Sequence, residues 1–319
     1  MCCPVYKTGM PQPHAPTTFQ PLHGIRVASL ALNLPGPAAL LRCRTMGAHC
    51  TKLEPLAPEN ASSADPMQTY SPTAYAQLHD DITVLQANLK TESVQQLLHA
   101  TLAQTDVLMT SFRPTALRKL GLEWEHLHQR HPQLNLVRIY GSSAPEASDH
   151  AGHDLTYQAQ AGLTDDGHMP ASLFADMAGS LMAGEAVLQT LMLRMQSGHG
   201  HCLDVGLAQA AQWLALPRQW KMTPPDGDVA GAHAGYNMYA CADGTVALAA
   251  LEPHFAQRIC QAAGIDSGDY SVAAMRSPAV HAALQHFFAN KSCVQLASMA
   301  DQNDIPLHLI ANKYKQLHP

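Results

Sequence analysis

The chain has 319 residues, of which 46% are hydrophobic and only 14% charged, and its net charge is −6 at neutral pH. That length suits one large or two modest domains. The acidic balance excludes general affinity for nucleic acid or an anionic membrane, so an anionic ligand would need a local basic cluster.

Residues 1–19 carry prolines, show no periodicity and lack a long apolar segment, which predicts a disordered tail and no signal peptide. Gly24 to Leu30 reads as a buried strand, and Leu34-Pro-Gly-Pro37 as a turn into a helix over Ala38 to Met46, with Gly47 at its C-cap. Cys50 to Leu53 is a second strand. Strand, helix and strand in this order imply parallel pairing. Residues 56–80 look like a loop, and Ile82 to Leu89 like another strand. Thr91 is placed to cap a helix running to Ala103. Asp106 to Thr110 and Leu134 to Tyr140 are further strands, with a turn and helix after Ser111-Phe-Arg-Pro114. Ala175 to Met195 is a long apolar helix whose methionine stripe reads as core packing. Leu203 to Leu207 opens a helical stretch reaching about Arg218. A linker follows over 224–235, then a hairpin over 237–250 with its turn at Asp243-Gly244, and helices to the end.

The alternation predicts an α/β protein: a large doubly wound parallel-sheet domain over 20–223 and a second, smaller α+β domain over 236–319. No long apolar run is free of polar residues, so no membrane span is expected. Eight cysteines are scattered without a CxxC pair, which points away from disulfides and zinc ribbons and towards a reducing, cytoplasmic compartment. Among 19 histidines the tightest pair, His199-Gly-His201, sits in a glycine-flanked turn; no metal site is expected.

Several segments, in order, resemble the family III CoA-transferase and alpha-methylacyl-CoA racemase superfamily. They are Leu22-His-Gly-Ile-Arg-Val27 with Pro35-Gly-Pro37, Met46 to Pro55, Asp106 to Pro114 with Leu120-Gly-Leu122, Gly152 to Tyr157, Ala175-Asp-Met-Ala-Gly179, and Asp243-Gly244 with Leu251 to Phe255. The resemblance spans roughly residues 20 to 310. It implies an acyl-CoA substrate, an interlocked homodimer, and no cofactor beyond the CoA moiety of the substrate. Gly152-His153-Asp154 with Leu251-Glu252-Pro253 is most similar to the racemase branch. The resemblance also has departures. Gln77 to Lys90 carries His79, Asp80 and Asp81 where the family carries basic residues.

Racemisation beside a thioester needs a proton removed from one face of the α-carbon and returned to the other, which two bases of different type can do. His153 and Asp176 fit that pair. Asp154, at the start of the adjoining helix, is a further catalytic candidate, and Glu252 could fix the His153 tautomer. Arg113 is the first candidate for CoA phosphates, with Arg42, Lys52 and Tyr157 beside it. Two other readings stay open: a CoA-transferase with Asp176 as nucleophile, forming an aspartyl-acyl anhydride, and a non-catalytic paralogue. On the racemase reading the site residues line one cleft at the domain boundary.

Overall fold

The strands and helices of the first part of the chain alternate with few interruptions, so each strand can return beside its predecessor only in parallel. In the computed structural model, which describes residues 20–143, 149–164, 167–266 and 268–311, the chain divides into two compact units, Met1–Ala215 and Leu216–Pro319. The tail expected over 1–19 lies outside the described residues.

In the first unit β1 (Arg26–Ser29), α1 (Pro35–Thr45) and β2 (His49–Glu54) form the expected parallel unit. The segment read as a loop instead holds two short helices, α2 (Pro66–Tyr70) and α3 (Pro72–Leu78), each opened by a proline. Then come β3 (Thr83–Gln86), α4 (Glu92–Leu102), β4 (Val107–Thr110), α5 (Pro114–Lys119), α6 (Trp124–Arg130) and β5 (Asn135–Tyr140). After α7 (Asp154–Ala161) and α8 (Phe174–Ser197), β6 (Cys202–Gly206) precedes α9 (Leu207–Leu214). The expected helix start at Leu203 is therefore a strand: it pairs with β5, and Arg138 grips Asp204 across the pair at 2.6 and 2.9 Å. A tertiary partner overrides local propensity there.

The six parallel strands run in the order β3-β2-β1-β4-β5-β6, the doubly wound arrangement expected from the sequence. Alternate strand residues face opposite layers. Val27, Met109, Val137 and Val205 pack with α1, α8 and α9, whereas Leu108 and Leu136 pack with α4, α5 and α6. Helix α8 corrects the expectation for three of its four methionines, since Met182 alone of them packs against the core. Its buried face is Ala175, Ala178, Gly179, Ser180, Ala183 and Gly184, while Met177, Met192 and Met195 are exposed. Close packing on this face favours small side chains over the first half of the helix, and Val187 and Leu191 continue it further along. Among the described residues no helix is long and apolar enough to cross a membrane.

Lys52, expected to help bind phosphate, is fully buried. Its ammonium lies 2.8 Å from Glu54, 2.5 Å from Asp65 and 2.9 Å from His79 Nε2, so its three protons have three acceptors. A lysine only donates; His79 Nε2 must accept, and Nδ1–H donates to the Tyr75 carbonyl at 2.7 Å. Burial first, and the Lys52 charge second, hold the His79 ring below its usual range, in keeping with that neutral tautomer. Tyr75 also donates to Glu54 at 2.9 Å, as does Ser63. Asp65 caps α2 through the Met67 amide and accepts the Asn33 amide, each at 3.0 Å. The cluster thus holds the loop after β1.

In the second unit α10 (Leu216–Gln219) precedes a hairpin of β7 (Tyr236–Cys241) and β8 (Gly244–Ala249). Cys241 pairs with Gly244, so the turn is Ala242-Asp243, one residue before the expected pair. Then follow α11 (Pro253–Ala262), α12 (Val272–Met275), α13 (Pro278–Ala289) and α14 (Cys293–Asn303). The chain does not stay helical: β9 (Leu307–Ala311) pairs antiparallel with β8, and Leu307 and Leu309 pack on a core of Ile259, Leu284, Phe288 and Leu296.

Replacing Lys52 by Met would leave Glu54 and Asp65 buried without their cation. Removing one partner of a buried ion pair costs about 3–5 kcal/mol. Urea unfolding of Lys52→Met should show a loss of that order, and a variant as stable as the parent would refute the charge-balancing role.

Candidate active site

In doubly wound sheets ligands sit outside the carboxyl ends of the strands, where the strand order reverses. Here that point lies between β1 and β4. A cavity of ≈ 200 Å³ opens there, lined by the segments that leave β1 (Leu32, Asn33), β4 (Ser111, Arg113) and β5 (Tyr140, Gly141), and by His150, His153, Tyr157 and Asp176. The two strand-end loops are tied directly, because the Leu32 amide donates to the Ser111 hydroxyl at 3.2 Å. Asn33 takes a left-handed φ of 65°, which asparagine tolerates better than most residues. The Asp65 carboxylate holds its amide.

His153 is the N-cap of α7. Its amide donates to Thr156 Oγ1 at 3.1 Å, and that hydroxyl donates to the His153 carbonyl at 2.7 Å, which fixes the helix start beneath the imidazole. Asp176 stands in the first turn of α8, after Leu173 as N-cap, and so is not itself the cap. Asp154 is buried and joins the two helices. Its Oδ1 accepts the Asp176 amide at 3.0 Å and its Oδ2 accepts from Gln158. Each carboxylate oxygen of Asp154 thus accepts one hydrogen bond, which ties the start of α8 to α7.

Burial first, and the neighbouring Asp154 charge second, push the Asp176 carboxyl from 3.8 up to about 7. Near neutral pH this carboxyl can therefore either accept or give a proton. Tyr157 stands over the same cavity floor. A Cβ on Gly141 would come 2.2 Å, and one on Gly152 2.5 Å, from its hydroxyl, so both glycines are required by the tyrosine. Burial and then the Asp176 charge raise the Tyr157 phenol. Arg113 is the N-cap of α5 and exposed, and its guanidinium has no ion pair among the described residues.

The structure thus gathers His153, Asp176, Tyr157 and Arg113 around one cavity, with Asp154 directly behind. Lys52 and Arg42 are not there. Lys52 serves the buried cluster, and Arg42 is on the last turn of α1, against Gly184 of α8. Glu252 belongs to the second unit, as the N-cap of α11. Asn33, Ser111, Tyr140 and His150 line the cavity and were not singled out in the sequence. Ser111 directly follows β4 and Tyr140 ends β5, which is the signal that marks them, while Asn33 lies in the loop four residues after the end of β1. The Tyr140 hydroxyl is buried without a hydrogen-bond partner among the described residues. A larger cavity of ≈ 540 Å³ in the second unit is lined mainly by apolar residues, with Tyr236, Asn237 and His308 and no carboxylate.

Comparison with known proteins points one way. The pattern of CoA-transferase family III matches residues 22–318. Alpha-methylacyl-CoA racemase of Mus musculus is 26% identical over 317 residues, covering 93% of this chain and 79% of the relative. The "Probable fatty acyl-CoA transferase Rv3272" of Mycobacterium tuberculosis is 26% identical over 334 residues, covering 93% and 84%. The crystal structure of Rv3272 shares the fold with a TM-score of 0.77 at 23% identity, over 94% of this chain and 86% of that one.

The raised Asp176 carboxyl has a definite thermodynamic sign. A group whose folded pKa lies above its unfolded value adds stability that is complete below the unfolded pKa and is lost as pH rises through the folded one. The parent should therefore lose stability relative to Asp176→Asn between about pH 4 and about pH 8. Paired urea titrations across that range check it, since all other groups cancel, and a constant difference would refute the shift.

Proposed function

The chain belongs to CoA-transferase family III, and from that premise we propose that it is an acyl-CoA enzyme acting as a 2-methylacyl-CoA racemase. The observation that carries this reading is the pairing of His153 and Asp176, an imidazole and a carboxyl of raised pKa, around one small cavity. One base takes the α-proton, the C–H electron pair moves towards the thioester carbonyl as an enolate, and the other group returns a proton to the opposite face. Asp176 near its pKa suits both directions of this exchange, because neither its acid nor its base form is scarce. Arg113, which has no ion pair among the described residues, suits a CoA phosphate. Glu252 enters this reading through the family resemblance alone.

A second reading rests on the same Asp176. Its carboxylate could attack the thioester carbonyl, expel CoA as thiolate and form an acyl-aspartyl anhydride that a second acid then resolves. The low charge of the chain and the exposed apolar residues of the first unit, among them Met195 at 85% and Trp213 at 69%, support a homodimer as the working form. Light scattering should report twice the chain mass at micromolar concentration, and a monomer would refute the dimer.

The reactions separate in deuterated water. With a branched acyl-CoA of either configuration, the racemase incorporates one deuterium at the α-carbon without any acid acceptor. Positioned acid–base groups contribute about 10²–10⁴-fold. His153→Ala should therefore slow exchange from one enantiomer by that order and Asp176→Asn from the other, Glu252→Gln should follow His153, and Arg113→Ala should raise KM. Loss of CoA transfer in Asp176→Asn with full transfer in His153→Ala would instead establish the transferase. Equal loss for both enantiomers in both variants would overturn the two-base assignment.

A further inference from the structure

In the second unit the sulfurs of Cys241 and Cys293 lie 3.6 Å apart, and Asp243 Oδ1 lies 3.8 Å from the Cys241 sulfur. Cys241 ends β7, Asp243 stands in the hairpin turn, and Cys293 opens α14. All three donor atoms fall within 4.8 Å of one another. Among the described residues one other trio of metal-type donors is as tight, Glu54, Asp65 and His79, and there the Lys52 ammonium fills the centre. The cysteine trio has no basic side chain paired with it among the described residues.

The spacing is that of a coordination shell. With Zn–S of about 2.3 Å and Zn–O of about 2.0–2.2 Å, a tetrahedron has S···S edges of about 3.7–3.8 Å and S···O edges of about 3.5–3.6 Å. The observed separations agree within a few tenths of an ångström. A disulfide needs about 2.05 Å, so the sulfurs would have to close by more than an ångström. The carboxylate is already oriented, since Oδ1 accepts the Cys293 amide at 2.7 Å. Both cysteines are partly exposed and Asp243 is exposed, which leaves an entry path and a fourth position for water.

We infer that Cys241, Asp243 and Cys293 form a binding site for a thiophilic divalent cation of the zinc and cadmium class, pinning the β7–β8 hairpin to the start of α14. Two thiolates select such ions over magnesium or calcium. The sequence offered no pattern for it, because the two cysteines stand 52 residues apart. The site is independent of the acyl-CoA reading and stands or falls without it.

The test uses the full chain with Cys2 and Cys3 both changed to serine, so that this adjacent pair contributes no signal. The protein is kept reduced by a phosphine, stripped of metal and titrated with Cd²⁺, following the ultraviolet thiolate-to-cadmium band; Zn²⁺ is then added in competition. One equivalent should bind, Zn²⁺ should displace it, and the thermal midpoint should rise with free Zn²⁺. Cys241→Ser and Cys293→Ser should each weaken binding by at least the roughly 10–100-fold that an outer-shell partner is worth. Asp243→Asn, which keeps both thiols and puts the fold least at risk, should weaken it by about 10-fold. No Cd²⁺ uptake by the reduced protein would overturn the site, as would an undiminished band in the Cys241→Ser/Cys293→Ser double variant or unchanged affinity in Asp243→Asn.

Discussion

The acceptance of the Asp176 amide proton by the Asp154 carboxylate is the contact on which the candidate site depends. Helix starts leave backbone N–H groups unpaired. Asp154, in the first turn of α7, supplies an acceptor to the first turn of α8, so two helix openings 22 residues apart are locked together. His153 precedes Asp154 and Asp176 carries the bonded amide, so the same contact brings both candidate bases to one cavity. It also sets their chemistry: a charge on Asp154 beside the half-buried Asp176 disfavours ionisation of the second carboxyl.

A second buried arrangement holds the opposite wall. Lys52 would be costly to bury alone, but each of its protons meets an acceptor, and Asp65 passes that order on to Asn33 at the cavity. This explains the acidic departure at residues 79–81. His79 is used as a neutral acceptor for Lys52, and Asp80 and Asp81 each approach Arg44 at 3.4 Å. A segment that is basic in the family serves here to balance charge inside the first unit. Of the basic residues expected to meet phosphate, Arg113 is the one at the cavity, and it is available because no acidic side chain among the described residues neutralises it.

The sequence by itself determined the doubly wound class. Short apolar strands separated by helices can be closed only as a parallel sheet, and the motifs after β4 and β5 placed Arg113, His153 and Asp176 at strand ends or helix starts, where such sheets bind ligands. It did not determine which side chains would be free. Lys52 and Arg113 are both cations near strand ends, and only packing puts one in a buried cluster and leaves the other open. The methionines of α8 look like core in a linear reading, yet Met177, Met192 and Met195 are exposed, and small residues fill most of the first half of its buried face. Residues 202–206 and 307–311 became strands because an open sheet edge was waiting for them, a partner that local propensity does not contain. The approach of Cys241, Asp243 and Cys293 is likewise a product of the hairpin meeting α14, since residues far apart in the chain become neighbours only when the fold closes the loop between them.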